Sequence, residues 1–374
     1  MSADELRFYY ALYLCDGIGA QRLIALRTYF GDAERAFEAS IKQLERTPGF
    51  GPNVAEQCVA SKAEALETAD SHLNVLPEDI FVLTFFDQAY PEQLRNIFNP
   101  PALLFYNGNI DLLSADRNIA VIGTRTITDY GRRITTELCK TFAQHSVTVT
   151  SGFATGVDTV AHRAVFDAGG STIAVLGSGI NVIYPASNKS FAKELISSGR
   201  GLIVSELAFG ARPDAKNFPW RNRIVSGLAS ASVIIESDDR GGSMITASIT
   251  IDQNRDVFAL PGDVDRPMSR GPNLLLTENR ARPFRSALDI LTAMEWLDSD
   301  AKDIPKRKKN NRVGLSVIQE QLVAILDLAG EPIYIDAVVE RSGVDVQTAL
   351  VQLLELEFND VIRQLPGKHF STIF

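Results

Sequence analysis

Five short clusters of small, hydroxylated and cationic residues carry the chemistry legible in this chain. They are Gly123-Thr124-Arg125, Ser151-Gly152, Asn188-Lys189, Arg221-Asn222-Arg223 and Gly241-Gly242-Ser243. Bare backbone amides, hydroxyls and forked guanidinium groups suit an anionic oxygen, and phosphate above all. The aromatics Phe218 and Trp220 sit just ahead of Arg221 and Arg223. Cations beside flat rings suit a single nucleic-acid strand, whose phosphates need charge and whose bases need faces to stack on. One of these two arginines is expected to pair with Glu206, leaving the other for a ligand.

Catalytic and metal chemistry find less support. Asp158 and His162 stand four apart on a helical pattern, so they share a face. No nucleophile accompanies them in a triad-like arrangement. Asp158 therefore reads as a helix-start cap and His162 as a packing residue. The four histidines are scattered without metal-ligand spacing. Cys15, Cys58 and Cys139 fall in separate apolar helical patterns and read as buried free thiols. No catalytic residue, no metal and no cofactor is expected. Gly177-Ser178-Gly179 begins like a dinucleotide fingerprint, but the third glycine is missing and Tyr184-Pro185 interrupts where the helix should open. That argues against a dehydrogenase.

The elements that position these clusters are short apolar runs, each ending in the small and polar residues above. Runs at 119–125, 147–152, 173–179, 202–206, 233–237 and 257–262 read as buried parallel strands, whose carboxyl ends share one edge of a sheet. Helical patterns lie between them at 131–143, 157–168, 188–197, 221–229 and 244–253. This alternation predicts an α/β doubly wound parallel sheet over residues 76–297.

The flanks differ in kind. Residues 1–75 read as helices, with glycine turns at Gly17-Ile18-Gly19 and Gly49-Phe50-Gly51 that resemble paired helix-hairpin-helix units. Such turns can offer amides to DNA, but this segment is acidic, which favours a packing role. Residues 76–111 form a connector in which the stretch 82–91 reads as a short strand. After Pro100-Pro101 comes an apolar run that reads as an edge strand. Residues 298–313 hold the basic run 306–312 and read as a solvated linker, with extra nucleic-acid contact as the sharper alternative. Residues 314–374 show three helical periods and a hairpin around a Pro-Gly turn, the winged-helix pattern. Its third helix, in the recognition position, has no Lys or Arg, so a protein contact suits it better than groove reading.

Charge sharpens the division. The 374-residue chain has a net charge of −9. Residues 1–111 carry −8 and 314–374 carry −6, whereas 112–297 carry +2 and 298–313 carry +3. The glycine-rich core is the basic part of an acidic chain, and local field steers a polyanion more than total charge does. No apolar stretch approaches the ~20 residues of a membrane span. The polar first residues lack a signal-peptide pattern. The expectation is a cytoplasmic protein with no membrane association.

Together the motifs Gly-Thr-Arg, Ser-Gly-x-Ala-x-Gly-Val-Asp…Ala-His, Tyr-Pro-x-x-Asn, Ser-Glu…Phe-Pro-x-Arg-Asn-Arg and Gly-Ser-x-Ile-Thr…Pro-Gly-Asp resemble the DprA/Smf family of DNA-processing proteins. The resemblance covers about residues 5–374 and is strongest over 119–282. It implies an N-terminal SAM-like helical domain, an extended Rossmann-like core and a C-terminal winged-helix domain. It also implies binding and protection of single-stranded DNA in natural transformation, loading of RecA, and a homodimer formed through the core. It places Arg125, Ser151, Gly152, Asn188, Lys189, Arg221 and Arg223 at or beside a basic pocket. Two positions depart from the pattern. Gly241 stands where a serine is more usual, and Thr155 where larger or basic residues are common. The alternative is a nucleotide-processing enzyme of a related Rossmann-like family. Against it, the stretch 240–248 lacks the glutamate that does chemistry in related nucleotide hydrolases.

Overall fold

A computed structural model describes residues 1–297, 315–329, 332–358, 361–365 and 368–372. The chain divides into two compact units, 1–297 and 298–374. The basic run 306–312 lies outside the described residues.

The first unit opens with helices α1 (Ala3–Leu14), α2 (Ala20–Phe30), α3 (Ala33–Glu38), α4 (Ile41–Leu44) and α5 (Pro52–Asn74). The two glycine turns precede α2 and α5. Arg22 holds both turns from one point, donating from Nη1 to the Gly17 carbonyl at 2.7 Å and from Nε to the Gly49 carbonyl at 2.9 Å. These helices share one apolar core with a face of the sheet, in which Tyr9, Tyr10 and Leu12 meet Phe105, Leu176 and Ile203. Burial of this kind stabilises by about 25 cal/mol per Å² of apolar surface, and it fuses the helical segment to the core.

The sheet contains β1 (Phe81–Thr84), β2 (Leu103–Gly108), β3 (Asn118–Ile122), β4 (Thr148–Ser151), β5 (Thr172–Val175), β6 (Gly201–Ser205), β7 (Ala231–Ile234), β8 (Asp256–Ala259) and β9 (Arg282–Pro283). Their order is β1-β2-β6-β5-β4-β3-β7-β8-β9. From β6 to β9 every neighbouring pair is parallel, as expected of a doubly wound sheet. β2 is no edge strand: it runs antiparallel between β1 and β6. Pro100 and Pro101 precede it, where a missing N–H costs no ladder bond.

Helices α6 (Glu92–Arg95), α7 (Asp129–Gln144), α8 (Val157–Asp167), α9 (Lys189–Ser197), α10 (Asn217–Leu228), α11 (Gly242–Asp252), α12 (Arg270–Thr277) and α13 (Ala287–Ala293) connect and cover the strands. α10 begins four residues earlier than the sequence pattern suggests, because Pro219 falls in its first turn, where proline is tolerated. After β3 the chain winds to β4, β5 and β6 on one side, then returns to place β7 on the other. The switch point lies between β3 and β7, where α/β sheets open a crevice at their carboxyl edge.

The second unit contains α14 (Val317–Ala329), β10 (Ile333–Tyr334), α15 (Ile335–Ser342), α16 (Val346–Phe358), β11 (Ile362–Leu365) and β12 (His369–Thr372). The three strands pair antiparallel in the order β10-β12-β11. Its small core gathers Leu322, Leu326, Val338, Leu353, Leu356 and Phe370. Among the described residues no helix is long and apolar enough to cross a membrane.

Candidate nucleic-acid interface

The phase of α10 decides which arginine meets the crevice. Arg221 and Arg223 stand two positions apart, about 200° around a helix. Phe218, Arg221, Asn222 and Val225 recur at i, i+3, i+4 and i+7, so they share one face, and all four line a cavity of about 610 Å³. Arg223 points away and forms a 2.5 Å ion pair with Glu206. Both partners are more than nine-tenths buried.

Arg221 is also 94 % buried (6 % exposed), yet it lines the cavity. Its Nη1 donates to the Val175 carbonyl at 2.6 Å. Burial brings its pKa down to about 10, opposed by Asp158 and reinforced by Arg125, so it stays charged at neutral pH. A Cβ on residue 152 would lie 2.0 Å from Nη1, which explains the glycine after β4. Asp158 lies buried at the start of α8 and accepts from the Ala154 amide at 3.3 Å. Burial raises its pKa, and Arg221 pulls the other way.

The loop after β3 supplies the exposed cation. The Thr124 amide donates to the Glu236 carbonyl at 2.7 Å. The Glu236 carboxylate accepts from the Thr128 amide at 2.9 Å and from the Thr128 hydroxyl. Gly156, with φ +80°, lets the start of α8 approach so closely that a Cβ would sit 2.2 Å from the Thr124 carbonyl oxygen. On this fixed loop Arg125 holds its guanidinium 5.0 Å from the centre of the Phe218 ring. Tyr184 tilts against the same ring at 5.8 Å.

The third wall is the start of α11. Gly241 is its N-cap, followed by Gly242 and Ser243. The first amides of a helix lack intrahelical acceptors and carry the positive end of its dipole. At Gly241 a side chain would strike the Ser237 hydroxyl at 2.3 Å, so here a neighbouring serine fills the space beside the helix start. Gly242 has open space where a Cβ would go.

Of the residues read from sequence, Gly123, Thr124, Arg125, Gly152, Arg221, Asn222, Gly241, Gly242 and Ser243 all line this one cavity. Four fall outside it. The Ser151 hydroxyl donates to the Val121 carbonyl at 2.6 Å, tying β4 to β3. Asn188 donates to the Phe153 carbonyl at 3.0 Å and to the Thr159 hydroxyl at 2.9 Å. Arg223 is consumed by Glu206. Lys189 opens α9 as an exposed cation away from the cavity lining.

His162 forms no pair with Asp158. Its Nδ1 meets the Thr172 hydroxyl at 2.6 Å, and its burial pushes its pKa down to about 3. Among the described residues no cluster of His, Cys, Asp and Glu could hold a metal ion. Cys15, Cys58 and Cys139 are free and buried.

Sequence reasoning did not assign Tyr184, Ser237, Asp238 or Met268 to the site, though each lines the cavity. Ser237 and Asp238 follow the apolar run of β7 directly, and that signal was available. Met268 arrives from a distant turn and carried none.

Fold and cavity define a Rossmann-like protein whose switch-point crevice is lined by Arg125, Arg221 and the start of α11. The chain belongs to the family described as DNA recombination-mediator protein A, whose model matches residues 81–295; that of the DprA winged helix domain matches residues 309–368. This is the DprA/Smf family that the motifs resemble. Protein Smf of Escherichia coli K12 is 35% identical over 331 residues, covering 88% of this chain and 83% of that protein. DNA processing protein DprA of Streptococcus pneumoniae R6 is 36% identical over 227 residues, covering 61% and 79%. The X-ray structure of DprA from Streptococcus pneumoniae superposes with a TM-score of 0.65 at 30% identity, covering 77% of this chain and 95% of that one. DNA processing protein A from Helicobacter pylori, solved to describe its single-stranded DNA binding mode, gives a TM-score of 0.52 at 27% identity, covering 58% and 95%.

Proposed function

We propose that this chain binds single-stranded DNA at the crevice between β3 and β7, protects it, and passes it to a RecA-type recombinase in natural transformation or recombination. The observation that carries the reading is one cavity that joins Arg125, Arg221, the bare start of α11 and the rings of Tyr184 and Phe218. Cations and amides hold phosphate, and the rings offer faces to unpaired bases. The DNA-processing family and the single-stranded DNA binding of the Helicobacter relative support it. The reading includes a cytoplasmic protein that acts as a homodimer through its core and turns over no substrate.

The test is a gel-shift series with the full chain, comparing single- and double-stranded oligonucleotides of the same sequence from 50 to 300 mM salt (about the range in which phosphate contacts dominate). Tighter binding of the single strand, falling steeply with salt, is expected. Equal or better binding of the duplex would overturn the proposal. Release of base or phosphate from nucleotides, lost on mutation of Arg221, would instead favour the nucleotide-processing alternative.

A further inference from the structure

Of the two aromatics that open α10, the crevice takes up Phe218 and leaves Trp220 outside. Resting on the single-strand binding proposed for that crevice, we infer that Trp220 is a second stacking platform. A strand leaving the crevice crosses the first turn of α10 and lays one more base on the outer face of the indole. Exposure alone would argue nothing, because isolated apolar residues are common at protein surfaces. The surroundings of Trp220 say more.

The first observation is position. Pro219 and Arg221 on either side of Trp220 line the cavity, and Trp220 does not. It stands two residues after Phe218, about 200° around the helix. The two rings therefore flank one helical turn, with Phe218 in the crevice and Trp220 on the outer surface. Trp220 is 52 % exposed, whereas the other tryptophan of the chain, Trp296, is buried in an apolar core.

The second is rigidity. The Arg223 guanidinium carbon lies 4.6 Å from the centre of the Trp220 ring, and the same guanidinium is locked by Glu206. Its Nη1 also donates to the Trp220 carbonyl at 3.5 Å. A buried, ion-paired group thus occupies the inner face of the indole and leaves the outer face to solvent. A ring held in this way loses little further freedom when a base stacks on it, which lowers the ordering cost of binding.

The third is charge. Arg212 and Lys216 are exposed on the segment that leads from β6 into α10. Between them Pro213 and Ala215 line the cavity, so the cations border the crevice. Among the described residues Arg212 forms no ion pair. Lys216 has only a surface pair with Asp214 at 3.6 Å, of a kind worth little. Lys216 caps α10 four residues before Trp220, so cation and ring share a face. Flat rings beside cations that track the backbone are what sequence-tolerant single-strand binding uses.

Tryptophan fluorescence of the full chain tests the platform. Trp296→Phe leaves Trp220 as the sole tryptophan emitter. A single strand of about 20 nucleotides, long enough to run beyond one binding module, is expected to quench its emission. An abasic strand of the same length should not, because it offers phosphates and no bases. Should Trp296→Phe fail to fold, the quenching lost between the unaltered chain and Trp220→Leu gives the same readout.

Trp220→Leu keeps an apolar cover over Arg223, so the melting temperature should be retained. Its affinity for the strand should fall at least five-fold, the lower end for one stacked base. Trp220→Tyr should recover most of that loss. Unchanged affinity in Trp220→Leu, with no quenching of Trp220, would overturn the platform and leave the crevice reading standing. So would a loss in Trp220→Tyr as deep as that in Trp220→Leu, since a stacking face would then count for nothing. No binding of any oligonucleotide would overturn both.

Discussion

Two buried arginines on one helix, Arg221 and Arg223, have opposite fates. Around Arg223 every charge is matched inside the fold. Glu206 takes its guanidinium, and the Glu206 carbonyl accepts from the Tyr13 hydroxyl of α1 at 2.8 Å. Around Arg221 the fold stops short: one carbonyl is satisfied, Asp158 is near, and the small part left accessible lines a cavity. The difference teaches that cation content does not mark a binding site. What marks it is a cation whose protein partners leave room for another anion.

The largest expected effect breaks the closed side. Arg223→Ala should cost about 3–5 kcal/mol of stability, because it strands Glu206 as a buried, uncompensated charge. Urea unfolding checks this, and an apolar replacement of both partners should recover most of the loss. On the open side, Arg125→Glu should weaken single-stranded DNA at least ten-fold, about 1.4 kcal/mol or more. It should change stability by less than ~0.5 kcal/mol, since Arg125 is exposed. Loss of stability without loss of binding would reverse the roles assigned to the two arginines.

The next effect concerns His162, whose folded pKa of about 3 lies below its ordinary 6.5. Between these values the unfolded chain takes a proton that the folded chain refuses. Stability is therefore full above pH 6.5 and falls as the pH drops towards 3, by on the order of 1 kcal/mol per pH unit. His162→Gln should flatten that part of a pH–stability curve; an unchanged slope would show that the histidine does not govern it. The smallest effect is expected at Lys189→Gln. It should reduce strand affinity less than three-fold, because that lysine stands outside the cavity lining. A loss as large as that of Arg125→Glu would extend the interface towards α9.

Much of this was legible in the sequence because strand ends advertise themselves. Apolar runs ending in Gly, Ser or Arg located the carboxyl edge of the sheet, and the motif order matched a family. The expectation that one of Arg221 and Arg223 is structural also held. Which one could not be read until the helix start was known, and Pro219 hid that start. Ser151 and Asn188 looked like ligand donors because their types suit phosphate, but nearby carbonyls claimed them. Tyr184 reaches the site from a loop between β5 and α9, and its approach to Phe218 depends on tertiary geometry that no local pattern encodes. The exact role of the winged-helix unit is a different matter: α16 has neither Lys nor Arg and leaves Val351 and Leu354 exposed.

The tyrosines of α1 set a condition on any truncation. Tyr13 bonds the Glu206 carbonyl, and the Phe209 amide donates to the Tyr10 hydroxyl at 3.3 Å. The segment they hold leads on to Pro213 and Ala215, which line the cavity. Deleting residues 1–75 would therefore bare an apolar face of the sheet and unpin that segment at once. A shortened protein that lost its grip on DNA would be reporting a slackened wall, even if no residue of the deleted helices ever touched the strand.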